Sequence, residues 1–255
     1  MNKNLIALQT ILMKEITRFM RIWTQTLLPP AITMTLYFII FGKLIGSQIH
    51  SIDNFTYMQY IVPGLTMMSI MTNAYANTSS SFFGAKFTRC IEEMLVSSMP
   101  DYIILLGYMA GGALRGMLVG FIVIMIAMFF THLKFMHPLV IIVMAILSSM
   151  VFSLGGLING IFAKKFDDVS FVPTFILTPL TYLGGVFYSV SLLPPFWQKI
   201  SIINPVLNIV DTFKYGMLGI TDVSVYVGFA MTVILFVVLF VWSLYLLRRG
   251  VGLRA

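Results

Sequence analysis

Residues that could do chemistry are few in this chain. His50, His132 and His137 are spread along the sequence, without the close spacing that a metal site needs. Asp167 and Asp168 are adjacent and paired acids can hold Mg²⁺, but no second acidic motif accompanies them. Walker A, HExxH and GxSxG motifs do not occur in the sequence. We therefore expect no catalytic residue and no metal site, and an ordinary solvated role for the two acids.

Arg115 is the one charged residue in an apolar run between Asp101 and Lys134. It lies about twelve residues into a predicted helix, or about 18 Å along the helix axis. An ionisable residue at that depth in a membrane is a functional candidate. No predicted span offers an acidic partner, so Arg115 could bind backbone carbonyls, reach a carboxylate in a loop or extend to the membrane surface. Contact with an anionic substrate is the alternative.

Two stripes of polar residues form the other candidate site. The first follows steps of 3, 4, 4 and 3 along one helix face and consists of Thr66, Ser69, Asn73, Asn77 and Ser80. The second lies in a segment with two prolines and consists of Thr174, Thr178, Thr181 and Gly185. Polar groups that face lipid are costly, so both stripes should face inward. They either hold helices together or line a substrate path, and the path candidates are Thr66, Ser69, Asn73, Asn77, Thr174, Thr178, Thr181 and the adjacent Tyr182.

Membrane-spanning helices are the elements that must position these residues. Five runs of 21 to 32 residues carry no charge, and a sixth contains only Arg115. A bilayer core about 30 Å thick needs roughly 20 apolar residues per helix. The sequence therefore predicts an all-α membrane protein with six spans, at 27–46, 58–83, 103–131, 138–163, 169–190 and 225–247. Ridges of small residues predict close helix packing in the third and fourth spans: Gly112, Gly116 and Gly120, then Ser149, Ser153, Gly156 and Gly160.

The composition agrees with a single transmembrane domain over residues 1–255. The chain is 59% hydrophobic and 10% charged, whereas soluble proteins carry about 25% charged residues. A net charge of +7 could suggest a nucleic-acid partner. However, the Lys and Arg residues concentrate on one side of the predicted spans, as the positive-inside rule requires. The charge therefore predicts membrane topology, with both termini in the cytoplasm, and no nucleic-acid partner.

The first 25 residues have an amphipathic helical pattern. One face carries Leu5, Leu8, Leu12, Ile16 and Phe19, and the other carries Lys3, Lys14, Arg18, Arg21 and Gln25. Such a helix lies in the plane of the membrane interface, with its basic face towards water or lipid headgroups. We expect a surface anchor or a docking surface for a partner.

Two connections between spans also have helical patterns. The loop 84–102 has apolar residues at helical spacing with charges between them, and 191–222 is apolar, aromatic and interrupted by prolines. We expect a short cytoplasmic helix in 84–102. The segment 191–222 favours short helices that return into the outer leaflet over a solvated loop.

Three stretches carry a resemblance to a known family. They are RFMRIWTQTLLPPAITMTLYFIIFGKLIG, CIEEMLVSSMP and FDDVSFVPTFILTPLTYLGGVFYSVSLLPPFWQKISIINP. The chain resembles bacterial ABC-transporter permeases of the type-2 exporter family over essentially its whole length. The resemblance implies a homodimeric permease in the bacterial inner membrane. It also implies two copies of a separate ATPase that bind ATP and Mg²⁺, so that this chain itself needs no cofactor.

The resemblance gives the segments outside the spans their roles. Residues 1–25 correspond to the connecting helix, 84–102 to the coupling-helix loop and 191–222 to outer re-entrant helices. The residues expected to couple to the ATPase are Phe87, Arg89, Ile91, Glu92, Glu93 and Met94. The first, second and fifth spans would build the dimer interface and the substrate path. The implied function is ATP-driven export by alternating access.

Three alternatives remain beside this function. An ion-coupled secondary transporter usually places Asp or Glu in its spans, and every acidic residue here is predicted in a loop or at the membrane surface. A membrane enzyme such as a lipid transferase would need a second acidic motif. A non-transporting assembly subunit is compatible with the sequence. The substrate stays open among lipids, amphipathic drugs and glycans.

Overall fold

The computed structural model describes residues 3–46, 55–97, 99–190 and 193–252, and of 43–45 the backbone alone. These residues form α-helices without a β-strand. The helices are α1 (Lys3–Arg21), α2 (Trp23–Thr26), α3 (Leu28–Tyr37), α4 (Tyr57–Phe87), α5 (Cys90–Val96), α6 (Asp101–Phe130), α7 (Pro138–Phe162), α8 (Phe166–Val172), α9 (Thr178–Tyr182), α10 (Pro195–Ile203), α11 (Pro205–Leu218) and α12 (Val225–Arg249). Two π-helical segments, Phe38–Ile45 and Pro173–Leu177, continue α3 and join α8 to α9.

Helix α4 lies at the centre of the bundle, between α6 and α7. Its side chains are buried over most of its length, and α11 and α12 pack around the same core. Tyr60, Leu65 and Met67 of α4 are among the large side chains with almost no exposed surface. The fold is therefore built around one central helix that carries the first polar stripe.

Glycines allow α6 and α7 to approach α4 closely. A Cβ atom on Gly112 of α6 would lie 2.0 Å from Thr78 Oγ1 and 2.5 Å from Ser153 Oγ. A Cβ atom on Gly156 of α7 would lie 2.3 Å from the carbonyl oxygen of Tyr75. The hydroxyls of Thr78 and Ser153 are 2.6 Å apart and share a hydrogen bond. The predicted packing of the small-residue ridges is confirmed for these positions.

Four helical segments of the described residues are long and apolar enough to cross a membrane: Trp23–Gly42, Asp101–Phe130, Pro138–Phe162 and Val225–Arg249. Helix α4 has 31 residues, about 46 Å at 1.5 Å per residue, but its polar stripe lowers its hydropathy. In the region of the predicted fifth span, 169–190, the helix is divided into three pieces of 7, 5 and 5 residues that begin at Phe166 and end at Tyr182. Pro173 and Pro179 stand at the start of two of these pieces, where a proline is favourable, whereas inside a helix it removes a backbone hydrogen bond. Because four candidate spans are found among the described residues, the six predicted spans stay a prediction.

The bundle has two ends, which we name the α5 end and the α11 end after a helix that lies at each. At the α5 end, Lys86 Nζ donates hydrogen bonds to the carbonyl oxygens of Ile161 (2.6 Å) and Ala163 (2.8 Å). At the α11 end, Lys214 Nζ donates to Tyr60 Oη (2.8 Å) and to the carbonyl oxygen of Gly185 (3.2 Å). Each end thus joins helices that are far apart in the sequence.

Helix α1 packs lengthwise on α6. Asn4 Nδ2 donates to Tyr102 Oη at 3.2 Å, Ile11 lies over Gly107 and Glu15 lies over Gly111. Because the partners advance together along both helices, α1 runs in the same direction as α6.

The face of α1 that is buried overlaps the predicted one only in part, since Phe19 of that face is buried and Leu8 packs against the core. Its buried residues are Ile11, Glu15 and Phe19, whereas Leu5 of the predicted apolar face is 58% exposed. Arg18, predicted to face water or headgroups, lies at the edge of the buried face: its side chain is 31% exposed, and its guanidinium also donates to Asn77 of α4. The two glycines of α6 admit α1 closely enough for this contact.

Candidate functional site

A polar cluster joins α1, α4 and α6, and we call it the junction. Its members are Glu15, Arg18, Thr26, Asn73, Asn77, Ser81 and Arg115. Polar groups in an apolar bundle need hydrogen-bond partners, because an unpaired buried polar group is costly. The junction supplies such partners across three helices that the sequence places far apart.

Asn77 is the centre of the junction and has no exposed surface. Its side-chain oxygen accepts hydrogen bonds from Arg18 Nη2 at 2.7 Å and from Arg115 Nη1 at 3.5 Å. The backbone oxygen of Asn77 accepts a second bond from Arg18 at 3.0 Å. Hydrogen bonds with a charged donor are roughly twice as strong as neutral ones. Asn77 of α4 therefore binds two guanidinium groups, one from α1 and one from α6.

Arg115 binds a backbone carbonyl oxygen and side-chain amide oxygens, not a carboxylate. Its Nη2 donates to the carbonyl oxygen of Thr26 and to Asn73 Oδ1, both at 3.3 Å. Of the alternatives for this residue, the structure thus shows contact with a carbonyl and with the amide oxygens of Asn73 and Asn77. Arg115 ties α6 to the first polar stripe and to the start of the first apolar segment.

Glu15 is the member of the junction that the sequence analysis missed. It has no exposed surface, its Oε1 accepts from Ser81 Oγ at 2.6 Å, and its Oε2 lies 3.4 Å from Arg18 Nη2. The sequence analysis did not predict that this carboxylate is buried. A signal was present, since Ile11, Glu15 and Phe19 follow steps of four on one face.

The junction carries more positive than negative charge. Two arginines meet one glutamate, and only Arg18 contacts it. Arg18 Nε, Arg115 Nε and Asn77 Nδ2 are buried and have no hydrogen-bond partner among the described residues. The Ser81 hydroxyl is paired with the Glu15 carboxylate, but both side chains are buried, so the chemistry of the junction is that of holding helices together and attracting anions.

The first polar stripe faces the interior of the bundle except at Ser80, which is exposed, so the inward prediction is wrong for that residue. Thr66 and Asn77 are fully buried, Ser69 is 1% exposed and Asn73 is 9% exposed. Thr66 Oγ1 donates to the carbonyl oxygen of Val62 on its own helix. These residues therefore do not form an open surface of the single chain.

The second stripe lies partly on the surface. Thr174 is exposed, Thr178 is half-buried, Thr181 is buried and Tyr182 is exposed. The ring of Tyr182 lies 6.0 Å from that of Phe187. No hydrogen bond joins this stripe to the first in the described ranges, so the structure brings together only the first stripe, Arg115 and α1.

Helix α5 presents a small surface at its end of the bundle. Ile91 is 1% exposed and packs in the core, so it holds α5 to the bundle and does not face outward. Glu92 and Met94 are half-buried. The outward residues are Phe87, Arg89, Glu93 and Val96. Val96 is 88% exposed and was missed by the sequence analysis, because nothing in the pattern showed which face of α5 would be buried.

Lys86 fixes the end of α7 beside this surface. Its two hydrogen bonds satisfy carbonyl oxygens at the C-terminus of α7, where a positive charge is favourable. We expect Lys86→Gln to lower the free energy of unfolding by about 2 kcal/mol, because hydrogen bonds to a charged group contribute about 1.5–3 kcal/mol. Thermal unfolding in detergent would measure it. Lys164→Gln, at an exposed position, is the control, and an equal loss in both variants would contradict this role of Lys86.

Asp168 caps a helix. Its Oδ2 accepts from the backbone N–H groups of Lys164 (2.8 Å) and Lys165 (2.9 Å). These two bonds hold the pKa of the Asp168 carboxyl below its usual value. Within the described ranges, no three or more His, Cys, Asp or Glu side chains come together as a metal site would require.

Comparison with known proteins assigns the fold to a family. Residues 6–218 match the family model described as ABC-2 type transporter. The chain belongs to the ABC-2 type transporter family. It is therefore a component of a membrane transporter and not itself an enzyme, and the predicted resemblance is confirmed.

Two groups of relatives illustrate the range of similarity. The chain is 55% identical to the inner membrane transport permease YadH of Escherichia coli strain K12, over 98% of both chains. It is 27% identical to nodulation protein J of Rhizobium leguminosarum bv. viciae, over 82% of this chain and 81% of that protein. The similarity to YadH thus extends over nearly the whole chain.

Proposed function

We propose that the chain is the membrane subunit of an ATP-driven exporter in the bacterial inner membrane. Two copies of it, each with six spans, would form the substrate path and work with two copies of a separate ATPase that binds ATP and Mg²⁺. The observation that carries this proposal is the outward surface of α5. Similarity to a protein named as an inner membrane transport permease supports the location.

The α5 surface has the features of a docking site for a soluble partner. Phe87 is 65% exposed and Val96 is 88% exposed, with the charged Arg89 and Glu93 exposed beside them. Ile91 is buried beneath α5 and fixes it to the core. Exposed apolar side chains with charges around them are typical of a protein interaction site. A short helix with this surface would fit a groove of the ATPase.

Movement of α5 can reach the spans through specific contacts. Lys86 joins α4 to the end of α7. Asn159 of α7 donates to Ser79 Oγ of α4 at 3.1 Å and to the carbonyl oxygen of Val169 in α8 at 3.0 Å. A push on α5 would therefore move α4, α7 and α8 together. Alternating access requires such an element with two arrangements that the nucleotide state of the partner can bias.

A second copy would cover apolar surface on the first and fifth spans. Exposed apolar side chains on these segments include Ile32 and Leu36 of α3 and Phe171 and Phe175 of the α8–α9 region. Thr174 and Tyr182 are exposed on the same region. Pairing two copies through these faces would enclose a path with polar and aromatic walls. Lipids, amphipathic drugs and glycans all suit such a path.

The proposed orientation places the α5 end in the cytoplasm. Lys86, Arg89, Lys164 and Lys165 lie at this end. Positive residues concentrate on the cytoplasmic side of membrane proteins. Both termini would then be cytoplasmic and α10–α11 would lie at the outer side.

The test reverses the charges of α5. We expect Glu92→Lys/Glu93→Lys to reduce the ATPase activity that co-purifies with the tagged chain from its own host membranes by at least about tenfold, because like charges at an interface cost several kcal/mol. Asp167→Lys changes an exposed acid outside α5 and is the control. Undiminished ATPase activity with the α5 variant would contradict the docking site. The absence of ATPase activity from the unaltered preparation would contradict the proposed function.

A further inference from the structure

A basic groove runs along the outside of α1. It has a volume of about 490 Å³ and is lined by Met13, Lys14, Thr17, Arg18, Arg21 and Ile22. Lys14, Arg18 and Arg21 follow steps of 4 and 3, so they lie on one helix face. No acidic side chain lines the groove.

The cations of this groove are incompletely partnered. Lys14 Nζ lies 3.5 Å from Tyr108 Oη, at the limit of a hydrogen bond. Arg21 is exposed, and no hydrogen bond to it exists within the described ranges. Arg18 bonds through Nη2 alone, and its Nε is buried without a partner. The neighbouring Glu15 accepts from Ser81 and pairs with Arg18 at 3.4 Å, so the positive charge of the groove comes mainly from Lys14 and Arg21.

The groove lies next to the end of an apolar segment. Its residues come directly before Trp23–Gly42, which is long and apolar enough to cross a membrane. Lipid headgroups lie at the ends of such a span. Trp23, 53% exposed and two residues after Arg21, is of the type that marks the interface between membrane and water.

The residues beside the cations distinguish a lipid from a soluble anion. Met13 is 56% exposed, Met20 47% and Ile22 39%, all next to the basic residues. Apolar neighbours do not stabilise a free phosphate, whereas the acyl chains of a phospholipid pack against them. Basic residues near apolar ones on an interfacial helix bind anionic lipids.

We propose that this groove binds the headgroup of an anionic phospholipid. Its phosphate would contact Lys14, Arg18 and Arg21, and its acyl chains would lie beside Met13 and Ile22. Arg18 belongs both to the groove and to the junction, so the bound lipid offsets the excess positive charge there and stabilises the contact of α1 with α4. The proposal does not depend on an ATPase partner, because the groove lies within the single chain.

Trp23 provides the measurement. The chain has three Trp residues, so a Trp197→Phe/Trp242→Phe variant leaves Trp23 as the sole indole. This variant is reconstituted in vesicles that contain brominated phosphatidylglycerol or brominated phosphatidylcholine, and quenching of Trp23 reports which lipid occupies the groove. We expect a preference for phosphatidylglycerol of about fivefold or more, as each cation near an anionic lipid favours binding by about this factor.

Two further variants test the residues. Lys14→Gln/Arg21→Gln should reduce the preference at least about threefold, whereas Lys164→Gln/Lys165→Gln removes two exposed cations elsewhere and should keep it. Equal quenching by both lipids, or a preference that survives loss of Lys14 and Arg21, would overturn the proposal. Displacement of the lipid by millimolar inorganic phosphate would assign the groove to a soluble anion instead. If the Trp variant does not fold, native mass spectrometry of retained phosphatidylglycerol on the unaltered chain and on Lys14→Gln/Arg21→Gln gives the same comparison.

Discussion

Gly156→Ala is expected to lower the free energy of unfolding by about 3 kcal/mol, the upper part of the range for an overpacked core. The added Cβ atom would lie 2.3 Å from the carbonyl oxygen of Tyr75 and 3.1 Å from the backbone nitrogen of Ser79. Both atoms belong to the backbone of α4, so neither can turn aside. Helices α4 and α7 must separate, and contacts along the centre of the bundle are lost. Unfolding in detergent followed by circular dichroism would measure the change.

The adjacent glycine is the control. A Cβ atom on Gly155 would lie 3.5 Å from the Tyr75 ring, an ordinary contact distance. Both substitutions gain the same intrinsic helix propensity, which favours alanine over glycine by about 1 kcal/mol. Gly155→Ala should therefore leave stability unchanged or slightly raised. Equal destabilisation by both variants would show that α7 does not approach α4 as described.

Asn77→Leu should have a comparable effect through a different cause. The substitution keeps the approximate volume of the side chain but removes the oxygen that accepts from Arg18 and Arg115. Hydrogen bonds to a charged group contribute about 1.5–3 kcal/mol, and here two charged donors lose their acceptor. Arg18 keeps its bond to the backbone oxygen of residue 77, so we expect a loss of about 3 kcal/mol in unfolding free energy. We also expect α1 to become more accessible to proteolysis.

Two comparisons show whether the loss of stability comes from the junction or from any substitution in α4. Ser80 is exposed, and its hydroxyl bonds to carbonyl oxygens of its own helix, so Ser80→Ala should change stability by less than about 0.5 kcal/mol. In an Arg18→Met background, Asn77→Leu should cost at least about 1 kcal/mol less than in the unaltered chain, because residues in contact are not additive. Strict additivity would refute the contribution of the Arg18–Asn77 contact.

Much of the fold could be predicted from local composition. Long charge-free runs mark apolar helices because an apolar segment of about 20 residues is a property of the chain itself. The close approach at Gly112 and Gly156 was also predictable, since small residues at steps of four leave a groove along a helix. The family resemblance was visible in three stretches of sequence, and the match over residues 6–218 confirms it.

The tertiary structure decided which side of each short helix is buried. The sequence pattern of α1 favours its leucine face, but contacts with α6 and α4 bury Ile11 and Glu15 beside Phe19 and leave Leu5 exposed. The pattern of α5 likewise does not show that Ile91 packs inward and Val96 outward.

The reason is that these helices are only partly apolar, so burial depends on partners distant in the chain. Arg18 is 59 residues from Asn77, and Glu15 is 66 residues from Ser81. Periodicity along one segment contains no information about such a neighbour. The sequence by itself determined the apolar helices and their close-packing glycines. The folded chain alone brought Glu15, Asn77 and Arg115 together, because only packing of three helices lets each polar group find the partner that offsets its burial.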